Sequence, residues 1–209
     1  HTACRRQRQM CIRDSAADVH TPVSALIKLK EEDYTFLFES VEKGSQKGRY
    51  SVIGLKPDLI WECKNNICKF KDLNISSKSK ILKTDPLDSL KNLFNSNNLK
   101  LPNIIPSISS GFFGYMGYEM IRYFENVNLK KINSLDLPDS IFIRPSITLV
   151  FDNVNDKLIV TKLVCKSKLK AKDSFEKAKK EIYSIIKKIN RPISKESFSS
   201  SNTKKTVSY

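Results

Sequence analysis

Apolar positions recur at two different spacings along this 209-residue chain. DYTFLFESVE (33–42) runs apolar and aromatic and then turns polar, as a strand does. KGSQKG (43–48) interrupts it with two glycines, and RYSVIGL (49–55) resumes the apolar pattern, so the two predict a hairpin with a long loop. DLIWEC and ICKFKD predict two shorter strands about an Asn65-Asn66 turn. SIFIRPSITLVFD (140–152) and KLIVTKLV (157–164) predict a final pair around NVND.

Helical spacing appears three times. Thr21-Pro22 opens a helix over TPVSALIKLK, and Asp85-Pro86 caps one carrying Leu87, Leu90, Leu93 and Phe94. A third helix is predicted over 173–189, capped by Asp173, with Phe175, Ala178, Ile182, Ile185 and Ile189 on one face and lysines on the other. SGFFGYMGYEMIRYFE (110–125) alternates glycine with aromatics before a short helical turn. No internal repeat is present. Strands with a few segregated helices predict an α+β fold with a largely antiparallel sheet.

Composition narrows this picture. The chain is long enough for a core in one large domain or two small ones. It has no run of 18 apolar residues, and its basic start lacks the apolar stretch of a secretory signal. The formal charge of +15 points toward nucleic acid, but the choice of base points away. Beyond residue 15 the arginines are Arg49, Arg122, Arg144 and Arg191, and the remaining positive charge is lysine. Base and phosphate readout favours arginine's planar fork.

The opening HTACRRQRQMCIRDS changes the count. RRQRQMCIRDS back-translates without mismatch into a transposase adapter used in preparing sequencing libraries, and the closing TVSY matches the reverse complement of its end. Residues 1–15 and 207–209 are therefore expected to be adapter-derived. Setting aside four arginines and Asp14 removes a net three charges and leaves +12. Cys63, Cys68 and Cys165 remain, without zinc or disulfide spacing, which suits a reducing cytoplasm. His20 is then the remaining histidine, so neither a histidine triad nor a histidine metal site is expected.

Sites for chemistry are sparse. There is no P-loop, no dinucleotide fingerprint, no G-x-S-x-G and no evident acid/base pair. The chain reads as a binding or regulatory portion. In FLFESVEKGSQKGRYSVIG, a strand delivers Glu39 and Ser40 to its end, and Arg49, Tyr50 and Ser51 return alongside. A carboxylate suits an ammonium group, a hydroxyl suits a carboxylate, and an aromatic wall suits a ring, so a small zwitterion fits, as does an ordinary hairpin with a polar exit. Adjacent strand residues face opposite ways, so Glu39 and Ser40 can share a ligand only at a bulge or a strand end. The glycines of GFFGYMG allow either close backbone approach or tight core packing.

These runs resemble a family. TPVSALIKLKEEDYTFLFESVEKGSQKGRYSVIGLKP, GFFGYMGYEMIRYFE and LPDSIFIRPSITLVFDNV resemble, in order, the N-terminal blocks of anthranilate synthase component I over about Thr21 to Ile189. The resemblance implies an orthogonal β-sandwich completed by a C-terminal half, with residues 16–189 as the N-terminal regulatory domain and 190–206 as a linker toward a chorismate-binding half. The family converts chorismate and glutamine-derived ammonia into anthranilate and pyruvate. It uses magnesium and a glutamine amidotransferase subunit. The resemblance puts catalytic and magnesium-binding residues in that other half, so no catalytic residue, metal or cofactor is expected here. Phe38-Glu39-Ser40 matches the family's L-E-S motif, with Phe38 in place of leucine, and Arg49, Tyr50 and Ser51 match R-Y-S. With Pro22, these imply part of an L-tryptophan feedback site. The component I of aminodeoxychorismate synthase shares the domain and is the nearest rival. A basic RNA-binding domain is the rival of another class.

Overall fold

Two long strands organise the molecule. β3 (Lys47–Lys64) and β7 (Ser140–Asp152) pair antiparallel from Tyr50↔Asp152 to Cys63↔Ser140. This computed structural model describes residues 9–16, 20–30, 32–41, 47–76, 78–97, 101–103, 105–127, 136–164 and 170–192. Residues 193–209, with most of the expected linker and the closing TVSY, lie outside them, as do residues 42–46 and Cys165.

The sequence predicts two strands where β3 is one, because Pro57 bends the strand without ending it. Proline has no N–H for a ladder and belongs at edges and bulges. Here Pro57 faces Pro145 at a register shift in which Asp58 is the extra residue. Lys56, just before it, takes a positive φ of 47°. Asp58 and Arg144 close the crease with a buried bidentate pair at 2.7 and 2.6 Å. Asn97 accepts a further Arg144 hydrogen bond at 2.8 Å.

The crease divides the sheet. On one side, β2 (Phe36–Val41) pairs with β3, and β8 (Lys157–Val164) pairs with β7. On the other, β4 (Ile67–Asp72) pairs with β3, and β6 (Phe113–Met116) pairs with β7. β5 (Lys80–Leu82) extends the sheet beyond β4. β1 (Gln9–Ala16) extends it beyond β8, so this edge strand falls largely on the segment read as adapter. Every pairing among the described residues is antiparallel, which makes an α+β fold around a curled sheet.

Each half has its own core. α1 (Pro22–Leu29) and α3 (Ala171–Ile189) cover the first, where Leu29, Ile182 and Ile185 pack with Ile53, Leu55, Leu149 and Phe151. α2 (Pro86–Ser96) belongs to the second, where Leu90 and Leu93 pack with Trp61, Cys63, Cys68 and Met120. The helix starts are local chemistry. Thr21 and Ser24 form a reciprocal capping box on α1, and Asp85 accepts the Leu87 N–H at 2.8 Å. α3 departs from expectation, since it begins at Ala171 with Lys170 as its cap residue. Asp173 sits in its first turn, where a carboxylate favours the helix dipole without capping. Phe175 is exposed, so the buried face is Ala178, Ile182, Ile185 and Ile189.

Candidate effector site

The β2–β3 pairing breaks where the sequence places its polar residues. Glu39 pairs with Ser51, but Val41 pairs with Lys47, so Gly48, Arg49 and Tyr50 all stand opposite Ser40. The extra residues of this bulge lie on β3, so β2 keeps its own alternation while Gly48, Arg49 and Tyr50 crowd against Ser40. Gly48 makes it possible: a Cβ there would lie 2.6 Å from the Ser40 carbonyl carbon and would strike the Ser40 side chain.

Alternation distributes the other groups. Tyr50 packs beside Val52 and Phe113 on the face away from α1 and α3. Phe36, Phe38 and Phe113 cluster on that face, with ring centroids 5.1 to 6.2 Å apart. Glu39 and Ser51 lie on the opposite face, where the Ser51 hydroxyl donates to Glu39 Oε1 at 3.4 Å. Ser51 is buried, while Glu39 and Ser40 are exposed. Five of the six expected residues are thus gathered by one bulge. Pro22 is the first residue of α1, a helix that packs on β2 and β3, and contributes a helix start rather than a polar group.

Arg49 is held in two directions. Its Nε and Nη2 donate to Asp152 at 3.4 and 3.2 Å, and its guanidinium lies 4.8 Å from the centre of the Tyr50 ring. Burial alone would raise the Asp152 carboxyl. Hydrogen bonds from Arg49, the Asn155 side chain and the Val154 and Asn155 N–H groups outweigh it and hold the carboxyl below its usual range. The hydrogen bond to Asp152 in turn holds Arg49 above its own. Sequence reasoning missed Asp152 and Asn153 because one reads as the polar end of a strand and the other as the first residue of the NVND turn. Their partners are more than 100 residues away in sequence, and only the β3–β7 register brings them together.

The second candidate stretch shows both close backbone approach and core packing, since Met120 is buried in the second core with Phe112 and Tyr123 packed against it. A Cβ at Gly114 would lie 2.9 Å from the Ile141 carbonyl carbon, while Tyr115, Met116 and Tyr118 are exposed. Cys63 and Cys68 do meet across the Asn65-Asn66 turn as a buried register pair of free thiols. Among the described residues no group of three or more His, Cys, Asp or Glu side chains could hold a metal ion, and no helix is long and apolar enough to cross a membrane.

The described residues form an antiparallel α+β module, and known proteins resemble the chain in sequence and in fold. The chain is 34% identical over 194 residues to anthranilate synthase component 1 of Cereibacter sphaeroides, covering 88% of this chain and 38% of that protein. It is 32% identical over 143 residues to the same component of Acetivibrio thermocellus, covering 68% of this chain and 28% of that protein. The crystal structure of anthranilate synthase component I from Streptococcus pneumoniae superposes with a TM-score of 0.56 at 21% identity, over 88% of this chain and 37% of that one. No family profile matches. The chain belongs to the anthranilate synthase component 1 family, and its matches span 28% to 38% of the length of these relatives.

Proposed function

We propose that this chain is the N-terminal regulatory portion of an anthranilate synthase component 1 and carries part of its L-tryptophan feedback site. The observation that carries the reading is the bulge. It sets Glu39 and Ser40 against Gly48–Ser51 at one strand end, with a carboxylate for an ammonium group and hydroxyls for a carboxylate. The aromatic cluster of Phe36, Phe38 and Phe113 begins on the adjoining face.

The full-length protein is then an enzyme of tryptophan biosynthesis, a lyase that converts chorismate and ammonia into anthranilate and pyruvate. A glutamine amidotransferase subunit supplies the ammonia. Free thiols at Cys63 and Cys68 agree with a reducing cytoplasm. Magnesium belongs, on this reading, to the chorismate-binding half. Regulation runs through packing: tryptophan favours the arrangement of this region that lowers turnover.

Inhibition kinetics test the reading. In the full-length protein, Ser40→Phe fills the bulge and is expected to raise the half-inhibiting tryptophan concentration by on the order of tenfold, relative to its own uninhibited rate. An unchanged value would remove Ser40 from the site. Residues 16–206 alone are expected to bind tryptophan weakly or not at all, and tight calorimetric binding by that piece would contradict a site shared with the rest of the protein.

A further inference from the structure

The turn between β7 and β8 reaches across to the bulge at three points. Asn153 donates its backbone N–H to the Arg49 carbonyl at 2.8 Å and its side-chain amide to the Gly48 carbonyl at 2.8 Å. Asp152 takes the Arg49 guanidinium through both oxygens. Asp152 is itself fixed, accepting from the Val154 and Asn155 N–H groups at 3.1 and 3.2 Å and from the Asn155 amide at 2.8 Å. Its side chain is 5% exposed against 51% for Arg49, so the carboxylate is the anchor and the arginine is what it anchors.

This contact falls where ordinary pairing ends. The β3–β7 ladder stops at Tyr50↔Asp152, and the register shift leaves Gly48 and Arg49 without regular partners on β2. Backbone carbonyls at such a point need donors, and Asn153 supplies them. We propose that Asp152 and Asn153 are positioning residues for the effector site, holding the Gly48–Arg49 backbone so that Tyr50 and Ser51 stand against Glu39 and Ser40. This rests on the reading of that bulge as a tryptophan site. An electrostatic role follows. Asp152 cancels the Arg49 charge, so Arg49 serves as a wall over Tyr50 rather than an anion receptor, and Glu39 is the charge that a ligand ammonium meets.

The test is calorimetric titration of L-tryptophan into the full-length protein, with the Arg49 Nε–Hε signal followed by nitrogen-15 NMR. Asp152→Asn and Asn153→Ala are each expected to weaken binding roughly tenfold. Asp152→Asn is also expected to speed hydrogen exchange at Arg49 Nε to that of solvent-exposed arginines. Ile185→Ala, which loosens the helix-side core without touching the turn, is expected to stay within about twofold of the parent affinity. Unchanged affinity in both turn variants, with Glu39→Gln or Ser40→Phe still weakening it, overturns the positioning role and leaves the site standing. Affinity unmoved by every variant, or no binding by the parent, removes the site and the positioning role together.

Discussion

The residues that matter most here are those whose surroundings leave them no alternative. Arg144 and Asp58 are each about 95% buried, and each satisfies the other's charge. Removing one member of such a pair leaves an unpaired buried ion, which costs about 3–5 kcal/mol. Asp58→Ala is therefore expected to lower the urea midpoint sharply, and a midpoint near the parent's would mean that water solvates the crease. Gly48 is constrained sterically, because its missing Cβ is where Ser40 passes. Gly48→Ala is expected to move Ser40 and to weaken any ligand that needs the bulge, more than it weakens the fold. Neither constraint was legible in the sequence. Asp58 and Arg144 are 86 positions apart, and Gly48 reads as one loop glycine among two.

Elements declare themselves more openly. Short-range chemistry set the starts of α1 and α2, and both caps are where Thr21-Pro22 and Asp85-Pro86 put them. Thr21→Ala removes the Thr21 side chain's half of the α1 capping box and is expected to cost about 1 kcal/mol, measured by thermal or urea unfolding. The sequence reading failed where tertiary contacts override local signals. α3 begins two residues before Asp173 because packing, not a cap, fixes its register on β8 and α1. β5 is three residues in a polar stretch, paired through Cys68↔Leu82 to Phe70↔Lys80, with too little apolar pattern of its own to stand out. β7 and β8 were legible throughout because both run apolar to a tight turn. The candidate residues, and the requirement of a bulge or strand end, were legible in the sequence, but the register that makes the bulge was not, since no local pattern encodes it.

The whole molecule carries its pH dependence in both halves. Burial pushes the Cys63 thiol up to about 12 from 9.0, and the Tyr123 phenol up to about 12 from 10.0. The folded state then keeps protons that the unfolded chain loses. Their contribution is whole below about pH 9 and is lost as pH climbs toward 12. The acid side has the opposite sign. Glu32 and Asp152 are held below their usual 4.5 and 3.8, Glu32 by Lys188 and Lys56 against the raising effect of burial, so their stabilisation is present above those values and lost as pH falls through them. A urea midpoint measured against pH is expected to be flat between about 5 and 8.5 and to fall on either side. Cys63→Ala should flatten part of the alkaline limb, and an alkaline limb as steep as the parent's would separate that titration from folding.

The crease has one more effect, on alignment. A strand pair with a polar end can slide by a residue or two at modest cost when hydrogen bonding is its main constraint. Here sliding β3 along β7 would set Pro57 or Pro145 against a residue whose partner must donate, and would pull Asp58 out of the Arg144 fork. The two prolines and the ion pair thus act as an index mark for the longest ladder among the described residues. Asp152 lies seven residues from Pro145, and it meets Arg49 because that mark is set. Errors at the crease would therefore displace Asp152 from Arg49 at the far end of the ladder as well as weaken the fold.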